Sequence, residues 1–407
     1  MVAANQPTIT ETVDGIAVTT CMPIAHGYTF ESDVFSTSSK AIADMYRVQG
    51  RCLCLVDANV HKLLDSKVED YFKHHGIRAI VRPVDVTEER KDLEKLSEIC
   101  EMFVEYDLLR REPVLVVGGG LMTDVLGFAC AVFRRGTPYI RVPTTLIGLI
   151  DASVSNRVAV NWNGLKNRLG GYHEPVHTVI DYTFLKYLPA AEIRNGLAEI
   201  LKITSCVDLK TFRAVQTYGL DLIATKFFLT NGFTQEQAAL SNEIIRATII
   251  DVLREEVPNS REANLNRVMF FGHTWSPVLE LAPKPVLLHG HAISVDMCYS
   301  ITISQILGHI DEEHANEFLK VFSDLGLALD HPAFTEELML KATASTIATR
   351  DGKLRAPIPT GKFGEYEILA NVSEDVLRKA WALHKERVKG FPREGLGIDP
   401  NTSVRAW

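Results

Sequence analysis

Three side chains sit where an unpartnered polar group is costly. Glu199 lies in Asn195-Gly196-Leu197-Ala198-Glu199-Ile200-Leu201-Lys202, His273 in Phe271-Gly272-His273-Thr274-Trp275, and His289 in Leu288-His289-Gly290-His291. Burial without a partner is unfavourable for an imidazole and more so for a carboxylate. Two neutral imidazoles and one carboxylate satisfy each other through a divalent metal and leave an open position on it, the pattern of catalytic rather than structural zinc. The same donors suit cobalt. His291, two residues from His289, competes with it as a ligand.

A second set of residues could hold phosphate. Gly118-Gly119-Gly120 follows the apolar run Val114 to Val117 and opens a helical pattern, with Asp124 four residues on. Glycines there let backbone N–H groups approach a pyrophosphate, and the helix N-terminus adds partial positive charge. The spacing is not GxGxxG, and a plain tight turn reads equally well. Asp57 and Asn59 end an earlier run, where a polar side chain reaches a ribose or simply makes a turn. Thr144 and Thr145 end another, followed by Asp151 and by Lys166-Asn167-Arg168 in a glycine-bounded loop. With Arg134 and Arg135 these residues form a candidate phosphate clamp.

The elements that must carry these groups follow from length and periodicity. A chain of 407 residues fits about two domains. With 43 basic and 51 acidic residues the net charge is −8, which disfavours a chain-wide nucleic-acid footprint but leaves room for a local basic pocket. Seven cysteines without a CxxC pair read as reduced core thiols of a cytoplasmic protein. The first residues lack the basic and apolar regions of a signal peptide, and no run reaches membrane-spanning length.

Strand-like runs at 51–56, 77–84, 113–117 and 139–143 alternate with helical patterns at 60–75, 88–108 and 118–134, which predicts a parallel sheet covered on both faces. The charged stretch Glu88 to Asp92 reads as a solvated helix face. From about residue 189 the 3.6-residue period dominates, at 190–206, 235–256, 292–308, 312–325, 335–348 and 373–388. The expected organisation is an α/β domain over 1–185, a helical domain over 186–390 and a loop-like tail over 391–407.

The ordered motifs GGGLMTD, RVPTTLIGLIDASV, KNRLGGYH, NGLAEILK, FGHTW and HGHA resemble those of the sugar phosphate cyclases related to 3-dehydroquinate synthase. The resemblance implies a Rossmann-like NAD-binding domain, an all-helical metal-binding domain, a homodimer, and NAD with Zn2+ or Co2+ as cofactors. It places Asp57, Asn59, Gly118, Gly119, Gly120, Asp124, Thr144, Thr145, Lys166 and Asn167 around NAD, and makes Glu199, His273 and His289 the metal ligands. Lys202, Asp151, Arg157 and Glu256 become catalytic candidates. Arg135, Phe270 and Thr349 join Asp151, Arg157 and Lys202 around a small phosphorylated sugar. The implied chemistry is transient oxidation by NAD, phosphate elimination, re-reduction and intramolecular aldol closure, redox-neutral overall.

Within that family, dehydroquinate synthases carry Lys, Asn and His where this chain has Arg157, Phe270 and Pro277. A guanidinium, a phenyl ring and a proline cannot reproduce the recognition made by an ammonium, an amide and an imidazole. GHTWSP, ELAP and Arg350-Asp351-Gly352 resemble instead the branch acting on sedoheptulose 7-phosphate. There, Glu256 and Thr349 match the desmethyl-4-deoxygadusol type, whereas Phe270 matches neither that type nor the 2-epi-5-epi-valiolone type. A 2-epi-valiolone or 2-epi-5-epi-valiolone product stays as the alternative. A metal-dependent alcohol dehydrogenase of the glycerol type is the alternative from a different class, and it would accumulate NADH.

Overall fold

The computed structural model describes residues 8–12, 14–20, 24–228, 234–361 and 364–401. Strands run in chain order as β1 (Thr8–Thr12), β2 (Gly15–Thr19), β3 (Gly27–Glu31), β4 (Arg51–Asp57), β5 (Arg78–Val84), β6 (Val114–Gly118), β7 (Tyr139–Pro143), β8 (Arg157–Trp162), β9 (Leu165–Tyr172), β10 (His177–Asp181), β11 (Ala356–Pro359) and β12 (Tyr366–Leu369). Helices of the first half are α1 (Ala43–Tyr46), α2 (Ala58–Leu64), α3 (Lys67–His74), α4 (Leu93–Glu105) and α5 (Gly120–Val132). Those that follow are α6 (Ala190–Val207), α7 (Leu209–Thr225), α8 (Gln235–Glu256), α9 (Ser276–Leu279), α10 (His289–Ile306), α11 (Glu312–Asp324), α12 (Glu336–Thr349) and α13 (Glu374–Val388).

The expected parallel sheet has six strands in the order β3-β10-β7-β6-β4-β5. Its central strands β4, β6 and β7 are buried along their apolar runs, because helices cover both faces. From β4 the chain crosses to β5 on one side and to β6 on the other. The carboxyl ends of β4 and β6 therefore flank the crevice where such sheets take ligands. The change from sheet to helices falls between β10 and α6, and α6 and α10 pack together at the centre of the helical core.

Several expectations are corrected. The second half is not all-helical, since β11 and β12 form an antiparallel hairpin. The helical pattern over 60–75 breaks into α2 and α3 at Asp65, which takes a left-handed φ of 49°. Lys166-Asn167-Arg168 lies not in a loop but in β9, paired with β8 around Asn163-Gly164, both at positive φ. An Asn-Gly dipeptide is a hairpin signal in its own right, independent of hydrophobic period. Two strands of the sheet, β3 (GYTFE) and β10 (HTVID), carry no continuous apolar run, so the sequence pattern does not mark them. The tail is ordered through Asn401: the Ile398 N–H donates to Gly326, and the Leu288 N–H donates to Pro400. Residues 402–407 lie outside the described residues. Cys52, Cys54, Cys100, Cys130, Cys206 and Cys298 are free thiols, all but Cys100 fully buried, while Cys21 lies outside the described residues. Among the described residues, no helix is long and apolar enough to cross a membrane.

Candidate functional site

The glycine triplet forms a cradle at the carboxyl end of β6. A Cβ on Gly118 would come within 2.6 Å of Met122 Cγ, and one on Gly119 within 2.9 Å of Thr145 Cγ2. Only backbone fits there, and α5 begins at Gly120 with its first N–H groups facing outward from the sheet end. Beside it, Thr144 Oγ1 is buried without a hydrogen-bond partner. A buried hydroxyl without a partner is what a bound phosphate or ribose would satisfy. Asp57 Oδ1 accepts from the Asn59 and Val60 N–H groups, so it caps α2 while standing at the mouth of the crevice. Thr145 Oγ1 accepts from the Gly148 N–H, which starts the π-helical turn Gly148–Ala152 that carries Asp151.

The charged stretch 88–92 is solvated at Glu89 and Arg90 but not throughout. Lys91 is 1% exposed, and its Nζ donates to Asp124 Oδ2 at 2.5 Å and to Asn167 Oδ1 at 2.6 Å. It joins two expected cofactor residues that lie 43 positions apart in sequence. No pattern marks Lys91 among four other charged residues. Only the fold reveals it.

The metal constellation assembles at the junction of the two halves. Glu199 comes from α6, His273 from the turn before α9 and His289 from the first turn of α10, and one ligand atom from each lies within 4.8 Å of the others. Gly290 permits this, because a Cβ there would meet the Asn195 carbonyl oxygen at 2.4 Å, so the start of α10 can rest directly on α6. His289 Nε2 is 2.9 Å from Glu199 Oε1, and His273 Nε2 is 3.9 Å from it. His273 Nδ1 lies 3.1 Å from the Phe271 carbonyl oxygen, to which an Nδ1–H donates, leaving the Nε2 lone pair free toward Glu199. His291 stands apart from this cluster: its Nδ1 accepts from the Ala328 N–H and its ring packs against Gly397.

Electrostatics divides the surrounding groups. Lys202 Nζ is 2.5 Å from Glu199 Oε2, the side chains being 3% and 1% exposed. Burial works against both charges, yet Glu199 and Asp151 outweigh it and hold Lys202 above its ordinary value. Burial is likewise overcome at Glu199, which Lys202 and the two histidines hold well below the usual carboxylate range. Asp151 behaves oppositely, because burial raises its carboxyl despite Lys202, and its Oδ1 has no hydrogen-bond partner. Burial and then Lys202 keep His273 neutral, whereas Glu280 overrides burial at His289 and lifts it to about 9.

Arg157 is part of the site but already engaged. It pairs with Glu256 at 3.1 Å and Glu262 at 3.0 Å, and both carboxylates are shared with Arg267. Phe270 is stacked under the Arg350 guanidinium at 3.8 Å, with Arg267 at 5.2 Å. Arg350 also donates to the His273 carbonyl at 2.6 Å. Phe270 therefore backs the guanidinium that holds the His273 carbonyl. Of the expected substrate residues, Arg135 is not brought in within one chain, whereas Thr349 ends α12 next to Arg350, which holds the His273 carbonyl. Arg135 is exposed beyond the carboxyl end of α5, about 20 Å from the cradle at 1.5 Å per residue. The Thr349 hydroxyl donates to Thr346 of its own helix. Sequence reasoning missed Lys91, Arg267 and Glu280. For Glu280 a signal existed, an acid in the apolar run Val278-Leu279-Glu280-Leu281.

Comparison with known proteins bears on this geometry. Residues 81–195 match the 3-dehydroquinate synthase N-terminal domain and residues 196–351 its C-terminal domain. The chain is 41% identical to a demethyl-4-deoxygadusol synthase of Trichormus variabilis over 92% of this chain and 91% of that protein. It is 36% identical to a 2-epi-5-epi-valiolone synthase of Streptomyces albus over 83% and 82% of the respective chains. The solved 2-epi-5-epi-valiolone synthase of Streptomyces hygroscopicus subsp. jinggangensis, with NAD+ and Zn2+ bound, superposes with a TM-score of 0.85 at 33% identity, covering 91% of this chain and 99% of that one.

Proposed function

The chain belongs to the 3-dehydroquinate synthase family of sugar phosphate cyclases, and from that membership we propose that it converts sedoheptulose 7-phosphate to demethyl-4-deoxygadusol with release of phosphate. The observation that carries this reading is the Glu199, His273 and His289 cluster beside the buried Lys202 and Asp151, at the ligand-binding end of the sheet. When bound, NAD supplies a reversible hydride acceptor and the divalent metal polarises a carbonyl.

The chain's own groups do the rest. Glu199, His273 and His289 hold the metal, and the glycine cradle with the Thr144 hydroxyl holds the dinucleotide. Lys202, kept charged, stabilises negative charge developing on substrate oxygen. Asp151, whose carboxyl is raised by burial, is suited to carry a proton to and from the substrate. Arg157, balanced by Glu256 and Glu262, exchanges a carboxylate partner for substrate as the crevice fills. A homodimer working in the cytoplasm completes the proposal. The alcohol dehydrogenase alternative is set aside by family membership.

The test is incubation with sedoheptulose 7-phosphate, NAD and zinc, reading free phosphate and near-ultraviolet absorbance. Phosphate with a new absorbing enone is expected. Phosphate without absorbance points to a valiolone product, and absence of phosphate release refutes the substrate.

A further inference from the structure

Glu280 follows directly on α9, seven residues after His273, and is 4% exposed. Both of its carboxylate oxygens are engaged. Oε2 is 2.9 Å from His289 Nδ1, and Oε1 accepts from Lys166 Nζ at 2.5 Å. On the far side of the same imidazole, Nε2 faces Glu199 Oε1 at 2.9 Å. A continuous line Lys166, Glu280, His289, Glu199 thus runs from β9 in the sheet half to α6 in the helical half. The main chain repeats the link, since the Leu287 N–H donates to the Glu280 carbonyl and sets the approach to α10.

A carboxylate that accepts a hydrogen bond from one imidazole N–H fixes the ring plane and leaves the other nitrogen's lone pair for a metal. A buried carboxylate with only a neutral imidazole would be poorly compensated, and the Lys166 ammonium supplies the missing charge. We propose that Glu280 is the positioning residue of the metal centre, presenting His289 Nε2 to the metal and holding Lys166 at a fixed spacing from it. This rests on the metal-binding reading of Glu199, His273 and His289.

The experiment uses full-length protein stripped of metal, with zinc affinity read by chelator competition and the ligand field read from the visible absorption of bound Co2+. In Glu280→Gln the amide oxygen can still accept from His289, but its NH2 then faces the Lys166 ammonium. Zinc affinity is expected to fall about 10- to 100-fold with a shifted cobalt spectrum, and kcat to fall more than KM for the sugar changes. Glu280→Asp should recover part of the affinity. Lys166→Met alone should weaken zinc a few-fold, and adding it to Glu280→Gln should add nothing further. If circular dichroism shows that Glu280→Gln does not fold, Lys166→Met decides, and wild-type zinc affinity in it overturns the coupling. Normal zinc and cobalt binding by folded Glu280→Gln overturns the inference alone. Failure of the wild-type chain to bind either metal overturns the metal centre and this inference together.

Discussion

Replacing Glu199 by Gln keeps the shape of the side chain and removes one charge from the centre of the site. In the metal-free protein that charge faces Lys202 at 2.5 Å, with both groups buried. Removing one partner of a buried ion pair typically costs about 3–5 kcal/mol, because the other charge is left in a poor dielectric. Two features set the value here. The Gln amide oxygen can still accept from His289 Nε2, so that hydrogen bond survives in part. Glu199 also raises the Asp151 carboxyl, and once Glu199 is neutral Asp151 ionises more readily and compensates Lys202. The expected loss is therefore about 3 kcal/mol, at the lower end of the range. The assay is urea unfolding of chelator-treated protein, followed by the fluorescence of tryptophans including Trp275, buried beside His273. Lys202→Met should destabilise by a similar amount, and the double variant by at least about 1 kcal/mol less than the sum of the singles. Zinc at 100 times its dissociation constant should add about 2.7 kcal/mol to the wild-type chain and almost nothing to Glu199→Gln. A metal-free loss under about 1 kcal/mol together with a wild-type zinc gain would refute the reasoning.

Acid stability should report His384, which is fully buried with Nδ1 near the Thr302 hydroxyl and Nε2 donating to the Leu329 carbonyl. Burial holds its imidazole down to about 4 against Asp330, with Lys385 and Arg387 also opposing protonation. Its ordinary value is about 6.5, so the neutral ring contributes stability fully above pH 6.5, and this is lost as pH falls toward 4, about 3 kcal/mol in all. Urea midpoints at pH 7 and pH 5 should differ less in His384→Gln than in the wild-type chain, and equal differences would contradict this. Phe270→Ala removes the ring stacked on Arg350, costing about 2 kcal/mol of cation–π contact and loosening the hold on the His273 carbonyl. Lower kcat and a second cyclic product are expected by chromatography. A single unchanged product at unchanged stability would show that Phe270 plays neither part.

Local chemistry was legible in the linear order of residues. The apolar runs of β4, β6 and β7 read as buried strands, the glycine triplet after β6 read as a phosphate cradle or a tight turn, and Glu199, His273 and His289 were the right donors for a metal. Tertiary structure decided what linear order cannot express. His289 and His291 are equivalent by spacing, but residues two apart on a helix point about 200° from one another, so one meets Glu199 and the other meets the tail. Arg135 follows the cradle by fifteen positions yet stands at the far end of α5, because a helix converts short separation in sequence into length. Lys91, hidden in a charged run, is drawn into the crevice by Asp124 on α5 and by Asn167, which the β8–β9 hairpin brings to it. Residue type and spacing fixed which groups could do chemistry. The packing of α6 against α10 and of β9 against Glu280 fixed which of them meet, since a partner for a buried charge is chosen by distance in space.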